Sequence, residues 1–247
     1  MDLNRRVALR IIEGSSLRSI SRTEGLTYNN TYKKFLWLKK VVNFYKESAV
    51  MHAREIEFDE LETIEHTKCK PVNIILVVNE KYQILAAKVA EMPAKGRLAE
   101  FSRKKYGSRR NQRSEKLHEA FQEVKSRLVT PLAEIRSDAH PAYKNLVKQY
   151  FPDTLYRQFS ARAKKLKYQE RMHENNHKKK YDPIFRVNHI SARLRDRVKR
   201  LVRRNWCTTK KLENLQLTLD LYVLESLGCI HLYPKSAVEN WAFGGFG

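Results

Sequence analysis

A run of carboxylates lies in the first third of the chain. The eleven residues from Glu55 to Glu65 hold six Asp or Glu side chains and no Lys or Arg. Like charges this close repel one another unless cations relieve them. On charge alone two interpretations are equally good, an acidic strand edge that pairs with basic neighbours or a site for a divalent metal ion.

Two aspartates are the best candidates for such a site, Asp59 in this run and Asp138 further along the chain. Mg²⁺ prefers hard oxygen ligands such as Asp, Glu and amide carbonyls. Two Mg²⁺ ions about 3.5–4 Å apart can stabilise both the attacking and the leaving oxygen of a phosphodiester transfer. Taken singly, an aspartate such as Asp138 is more often a turn residue, so the pair depends on the elements that position it.

Apolar spacing predicts those elements. A short strand reaches Asp59, the apolar stretches 73–78 and 83–90 form a hairpin, and a helix covers 114–128. A brief strand at 134–137 then delivers Asp138 into a loop, a helix opens at Pro141, and residues 154–159 form the last strand. This order is that of a ribonuclease-H-like α/β fold, a mixed sheet with flanking helices. Because strands one and four are neighbours in that fold, Asp59 and Asp138 would come together.

Residues 1–48 predict a small all-α domain with a helix-turn-helix. Gly14 ends a first helix, Ser15 or Ser16 caps a short second one, and Gly25 separates it from a basic helix over 27–43. Four residues of the last helix would face base edges or phosphates: Asn29, Asn30, Tyr32 and Lys33. A plain three-helix bundle is the alternative, and Glu24 favours it because an apolar contact is common at that position.

The composition points to a polyanionic partner. With 49 Lys+Arg against 27 Asp+Glu the formal charge is +22, and a surface so basic binds nucleic acid through counterion release. We predict that a long helix after Pro183 grips phosphates near the cleaved bond, and that residues 95–113 form a loop arm along double-stranded DNA. The first contact set is Arg193, Arg197, Arg200 and Arg204; the second is Arg103, Lys104, Lys105, Arg109 and Arg110. The alternative is that these charges only aid solubility.

Other features limit the class of protein. Three scattered cysteines make neither a disulfide framework nor a Cys-x-x-Cys metal site. No apolar run approaches the roughly 18 residues of a membrane span, and the first residues lack the apolar middle of a signal peptide. We therefore expect a cytoplasmic, nucleoid-associated protein with no membrane partner. A catalytic domain would span 49–230, with a basic insertion around 161–184 that is more typical of a mobile loop than of a zinc site, and 231–247 would be a tail.

Four segments resemble transposases of the insertion-sequence-one type, which belong to the Asp-Asp-Glu superfamily. They are residues 59–71, 92–96, the stretch Ser137-Asp-Ala-His-Pro-Ala-Tyr143, and 188–210, which includes Trp206-Cys-Thr-Thr-Lys210. The resemblance spans about residues 10–225. It implies a ribonuclease-H-like catalytic domain, Mg²⁺ or Mn²⁺, cleavage and strand transfer at insertion-element ends, and a homo-oligomer on DNA. By motif, Asp59 takes the first triad position and Asp138 the second.

The sequence departs from the family at the third position, where the glutamate falls at Asn188. An amide oxygen can bind Mg²⁺ but brings no charge, so we expect weaker binding. His189 could orient water or substrate, or cap a helix; Glu62, and after it Glu174, could supply the missing carboxylate. Two alternatives to an active transposase stay open, a DNA-binding regulator or decayed transposase and a structure-specific nuclease. The zinc ribbon with which many relatives begin is not found in the sequence.

Overall fold

The computed structural model of the chain describes residues 3–159, 182–201, 209 and 211–228. Its strands are β1 (Glu55–Ile64), β2 (Pro71–Asn79), β3 (Ile84–Glu91), β4 (Glu134–Asp138) and β5 (Leu155–Phe159). Its helices are α1 (Leu3–Ile12), α2 (Leu17–Thr23), α3 (Tyr28–Ser48), α4 (Leu98–Tyr106), α5 (Arg113–Arg127), α6 (Pro141–Tyr150), α7 (Phe185–Arg197) and α8 (Leu212–Ser226), with a 3₁₀ turn at Lys199–Leu201.

The five strands form one mixed sheet in the order β3-β2-β1-β4-β5. The first three strands pair antiparallel, because short turns join them, whereas β1–β4 and β4–β5 pair parallel. The longer connections that parallel pairing requires contain α5 and α6. The predicted mixed sheet with flanking helices is therefore confirmed, and its arrangement is compatible with a ribonuclease-H-like fold.

Side chains alternate between two apolar layers along the sheet. Phe58 points toward α5 and α6, where its ring lies 4.9 Å from that of Phe121 and 4.7 Å from that of Tyr143. Leu61, three residues on, belongs to the layer formed by α1–α3, α7 and α8. Strand β2 is buried on both faces from Val72 onward, which explains its continuous apolar sequence.

Strand β1 is longer than predicted, and Asp59 lies in its middle rather than at its end. Strand β2 pairs with β1 from Ile56 to Ile64 and holds it extended. The parallel partner β4 stops earlier, since its last pair with β1 is Ser137 with Phe58. The prediction of a strand ending in aspartate is therefore confirmed for Asp138 and wrong for Asp59, which instead marks the point where β4 ends.

The N-terminal helices were predicted correctly as elements, and Ser16 caps α2 by accepting a hydrogen bond from the Ser19 backbone N–H. They do not stand apart from the sheet. Val7 of α1 and Leu38 of α3 are fully buried in the same apolar cluster as sheet and α8 residues. The structure therefore does not confirm an independent N-terminal domain.

Helix α8 packs its apolar side chains into this layer. Leu215, Leu219 and Leu221 are fully buried. At its polar edge, Asp220 accepts a 2.8 Å hydrogen bond from Lys46 of α3. None of the helices that the structure describes combines the length and the apolar character that crossing a bilayer requires.

The predicted loop arm contains a helix. Helix α4 occupies residues 98–106 of the stretch predicted as loop, and Gly107, with φ of +79°, ends it. The arm is therefore an ordered element attached to the end of β3. Its few apolar residues explain why apolar spacing did not reveal it.

Candidate active site

Asp59 and Asp138 are next neighbours across two parallel strands. Phe58 pairs with Ser137, and each aspartate follows directly. Ile135 packs into the α5–α6 layer, so Asp138 points to the opposite face, as Asp59 does. Burial is the main cause of a raised pKa at Asp59, and the negative charge of Asp138 adds to it. The predicted juxtaposition of the two aspartates is thus present in the structure.

The Asp59 carboxyl group has an unusual electrostatic environment. Burial raises its pKa to about 6, against an opposing 2.7 Å hydrogen bond from the Glu60 N–H to Oδ1. The negative charges of Asp138, Glu60 and Asp182 contribute smaller parts of this rise. No Lys or Arg of the described chain forms an ion pair with Asp59, Asp138 or Asp182. The site therefore concentrates negative charge that no Lys or Arg of residues 3–159, 182–201 and 211–228 compensates by an ion pair.

Asp182 is a member of this group that the sequence analysis missed. Its Oδ1 accepts a 3.1 Å hydrogen bond from the Ile184 N–H and so orders the turn before α7. Its charge contributes to the raised pKa of Asp59, and a hydrogen bond from the Val187 N–H to Glu57 holds the start of α7 against β1. The useful signal was an Asp-Pro pair at the start of the helix expected to face the aspartates.

Asn188, the predicted third position, lies next to Asp182. It is exposed in α7, and its Nδ2 donates a 2.9 Å hydrogen bond to Asp182 Oδ2. Because the amide nitrogen donates to this carboxylate, Asn188 helps to fix the orientation of Asp182. The structure thus associates Asn188 with the acidic group through Asp182.

The other predicted candidates lie elsewhere. The His189 ring stacks on Phe185 with centroids 5.6 Å apart and meets Tyr82 edge-on, so it faces the β2–β3 turn. Glu62 is three residues from Asp59, so strand alternation turns it to the opposite sheet face, where it is exposed. Glu174 lies outside the described residues. The structure does not bring His189 or Glu62 to the aspartates.

A buried glutamate attaches α7 to the sheet. Glu57, only 2% exposed, accepts a 3.1 Å hydrogen bond from the Val187 N–H at the start of α7. Burial raises the pKa of Glu57, and this backbone bond and Arg186 oppose the rise. Carboxylates are favourable at helix N-termini, where backbone N–H groups lack partners. Glu57 therefore fixes the start of α7 two residues along β1 from Asp59.

A second polar network supports the site from the opposite face. Glu60 accepts hydrogen bonds from Arg113 Nε at 2.7 Å and from the Tyr143 hydroxyl at 2.6 Å. Arg113 Nη1 also lies 2.8 Å from His140 Nε2, and a guanidinium has only donors, so the histidine nitrogen must accept. The backbone N–H of His140 donates to Asp138 Oδ1 at 3.3 Å. This network ties the loop that carries Asp138 to β1.

The residues fit a hard divalent cation in chemical type. In the part of the chain that the structure describes, no group of three His, Cys, Asp or Glu side chains is arranged to hold a metal ion. What the site offers is two adjacent carboxylates with a third negative charge nearby, none of them ion-paired to a described Lys or Arg. Carboxylate oxygens suit Mg²⁺ or Mn²⁺ better than zinc or copper.

The helix-turn-helix candidates lie on an accessible surface. Gly25, with φ of +64°, makes the turn between α2 and α3, and Thr27 caps α3. Asn29, Asn30, Tyr32 and Lys33 are all exposed. Glu24, whose polarity weakened the match, is accounted for by α1: Arg6 donates to it at 2.8 Å and Arg10 at 3.5 Å.

The residues predicted to bind phosphates on the arm fall into two groups. Arg103, Lys104, Lys105 and Arg110 are exposed. The Arg109 side chain is only 7% exposed and contacts Glu65 at 2.9 Å and Glu91 at 3.3 Å. Arg109 therefore has a structural position that its neighbours do not share.

The basic residues of the α7 region are similarly divided. Arg193 and Arg197 are exposed on α7. Arg200 is partly buried on the 3₁₀ turn, and its Nε is buried without a hydrogen-bond partner. Arg204 lies outside the described residues.

Comparisons extend this description no further. Neither the known protein-family models nor the curated proteins include one that matches this sequence. A function is therefore best argued from the geometry of the acidic site, the basic surface and the fold.

Proposed function

We propose that the protein is a metal-dependent DNA transposase of the insertion-sequence-one type. It binds the ends of a mobile element, cleaves a phosphodiester bond there and joins the freed strand to target DNA. The observation that carries the proposal is the pair Asp59 and Asp138, neighbours on β1 and β4, whose charge no described Lys or Arg neutralises in a chain of net charge +22. A polyanion-binding protein that keeps such a pair uncompensated is suited to bind a cation against a DNA backbone.

A third negative charge near the Asp59–Asp138 pair is that of Asp182. Its charge acts on Asp59, and Asn188 holds one of its oxygens. In this assignment Asn188 orients Asp182 rather than replacing a glutamate. Asp182 thereby adds a negative charge near the Asp59–Asp138 pair that a neutral Asn188 would not supply.

Mg²⁺ or Mn²⁺, when bound, would stabilise charge on the attacking and leaving oxygens of the phosphodiester. The chain's own residues orient the ligands. Backbone N–H groups of Glu60 and His140 each fix one carboxylate oxygen, of Asp59 and of Asp138 respectively, so the second oxygen of each can face a cation. Because the Asp59 pKa is about 6, protons compete with the cation for this carboxylate below neutral pH.

The exposed half of α3 recognises the element end. Asn29 and Asn30 can each donate and accept toward base edges, and Tyr32 and Lys33 reach phosphates. The exposed cations of α4 and α7 add sequence-independent affinity. Two chains, each holding one element end, would act as a homo-oligomer on DNA in the cytoplasm.

The test is a strand-cleavage and joining assay on a labelled duplex that carries the DNA flanking the chain's own coding region, with Mg²⁺ or Mn²⁺. Asp59→Asn and Asp138→Asn should each lower the rate at least about a hundredfold, since each removes a charged ligand. Asp182→Asn should lower it less, since it removes only a neighbouring charge. Glu62→Gln is the matched control and should keep the parent rate. Equal activity in the parent and the three aspartate variants would contradict the assignment.

A DNA-binding regulator with a decayed catalytic site is the second candidate. The observation that favours it is that the described residues hold no group of three metal-binding side chains. Sequence-specific binding by the parent protein, with no nicked product under any divalent cation, would favour the regulator. Nicking with no joined product would instead identify a nuclease.

A further inference from the structure

We propose that α4 and the loop joining β1 to β2 (residues 65–70), together called the α4 platform, bind the backbone of duplex DNA about six base pairs from the cleaved bond. The inference rests on the proposed function, because the cleaved bond is taken to lie at Asp59 and Asp138. It adds a second contact with the DNA. The length of β1 beyond Asp59 sets the distance between this contact and the acidic site. The duplex would run along β1 from the acidic site to the platform.

The platform is a fixed part of the fold. The Ser102 side chain is buried, and its hydroxyl donates a 2.7 Å hydrogen bond to the backbone oxygen of Cys69 in the loop. The Tyr106 ring of α4 packs against the loop. Lys70 Nζ lies 5.0 Å from its centroid, and the His66 ring centroid lies 6.0 Å from it. A surface held by such contacts can position DNA rather than only attract it.

The basic residues of this region divide by their partners. Arg109 and Arg113 are turned inward and pair with Glu65 and Glu60. The outward set is exposed, and within the described chain no acidic side chain forms an ion pair with any of its members: Lys95, Arg97, Arg103, Lys104 and Lys105. Cations without protein partners on a fixed helix are suited to phosphates.

Two exposed apolar side chains lie within this cationic surface. Phe101 is 53% exposed and Leu98 39% exposed, one helical turn apart on α4. Lys105 Nζ lies 5.7 Å from the centroid of the Phe101 ring, so charge and aromatic surface are presented together. Duplex DNA offers phosphates to the cations and apolar sugar carbons to Phe101 and Leu98, and this combination distinguishes it from an apolar protein partner.

The sheet sets the distance between the platform and the acidic site. Asp59 lies where β4 ends, and the loop begins at Glu65, six residues further along the same chain. At about 3.3 Å per residue an extended strand covers about 20 Å over that interval. At 3.4 Å per base pair this corresponds to about six base pairs of duplex.

The experiment measures affinity against duplex length. Fluorescence anisotropy in EDTA separates binding from cleavage, on a nested set of duplexes whose flank is shortened one base pair at a time from the mapped cleavage position. The parent protein should lose about tenfold in affinity when the flank falls below about six base pairs. The Lys104→Ala/Lys105→Ala variant should bind every duplex as weakly as the parent binds the short ones. The slope of its log affinity against log salt concentration should be smaller in magnitude by about two.

The control is Lys125→Ala/Lys148→Ala, which removes two exposed charges at the opposite end of the sheet, where Met51 bridges to Leu128. It should keep the length step. A parent protein that cleaves DNA but shows no length step, or a Lys104→Ala/Lys105→Ala variant that keeps it, would overturn the platform and leave the proposed function intact. A parent protein that binds no DNA at all would overturn both.

Discussion

Asp59 and Glu60 are consecutive residues of β1, and their pKa values shift in opposite directions. Burial raises the pKa of both carboxyl groups. For Glu60, hydrogen bonds from Arg113, Tyr143 and Asn73 outweigh burial and lower the pKa, whereas Asp59 has no cationic partner in the described chain and its pKa rises to about 6. The difference lies in the partners, because strand alternation turns the two side chains to different faces.

The comparison separates charges that stabilise the fold through protein partners from charges that stay available to a ligand. Both carboxylate oxygens of Glu60 have hydrogen-bond donors, since they accept from a guanidinium, a phenol and an amide. Among the described residues Asp59 accepts a single hydrogen bond, from a backbone N–H, and two further negative charges act on it, those of Asp138 and Asp182. An uncompensated group of this kind costs the fold stability, so its natural explanation is a ligand.

The largest effect on stability is expected at the Glu60 side of this comparison. Arg113→Ala leaves the buried Glu60 carboxylate without its cation and should lower the free energy of unfolding by about 3 kcal/mol. Urea unfolding followed by circular dichroism measures it. Arg110→Ala, which breaks an exposed pair with Glu115, is the matched control and should change stability by less than about 0.5 kcal/mol. A loss below 1 kcal/mol for Arg113→Ala would mean that the network is not structural.

Asp59→Asn should do the reverse and stabilise the fold. The folded-state pKa of about 6 lies above the ordinary value of 3.8, so the folded protein binds more protons than the unfolded chain between these values. Stability of the parent should therefore fall as pH rises through this window, by about 2 kcal/mol in total after allowance for partial exposure. Urea unfolding at pH 4 and pH 7.5 in EDTA, on parent and variant, tests this: superimposable pH dependences would contradict it.

Mg²⁺ should supply the missing charge at Asp59. A cation that binds only the folded state at ten times its dissociation constant stabilises by about 1.4 kcal/mol. The melting temperature of the parent should therefore rise with Mg²⁺, and that of Asp59→Asn should not. Glu62→Gln should respond as the parent does. An equal rise in all three proteins would indicate that Mg²⁺ acts elsewhere.

The smallest effect is expected at Asn188. Asn188→Ala removes one hydrogen bond to Asp182 and should weaken Mg²⁺ binding by only a few-fold, about 1 kcal/mol. Asp182→Asn should weaken it more, because it removes a charge. Isothermal titration calorimetry with Mg²⁺ measures the affinity of the two variants. A larger loss of affinity in Asn188→Ala would indicate that the amide is a direct ligand.

The sequence was sufficient for features that depend on local spacing. Alternating or continuous apolar residues predicted all five strands, and the short strand before Asp138 placed that residue beside β1. Ser16 was recognisable as a cap from its residue type and position. These features were predictable because neighbouring residues in the chain determine them.

What the sequence did not reveal depends on residues far apart. Arg113 appeared to be one more cation of a basic stretch, because its partner Glu60 lies 53 positions away. Arg109 was misjudged for the same reason, since Glu65 is 44 positions distant. Asp182 was treated only as a helix start, because its nearness to Asp59 comes from tertiary packing. Partners distant in sequence decide whether a charge is structural or available.

The contact between Lys46 and Asp220 bears on how the proposed DNA substrate would be held. Lys46 of α3 and the buried Asp220 of α8 join the helix proposed to read bases to the layer that covers the sheet. The helix proposed to read bases and the site proposed to cut then belong to one packed body, because Leu38 of α3 and Leu61 of β1 share an apolar cluster. Because one inserted base pair turns the duplex by roughly 35° about its axis, insertion-element ends should tolerate substitutions near the cut far better than single-nucleotide insertions.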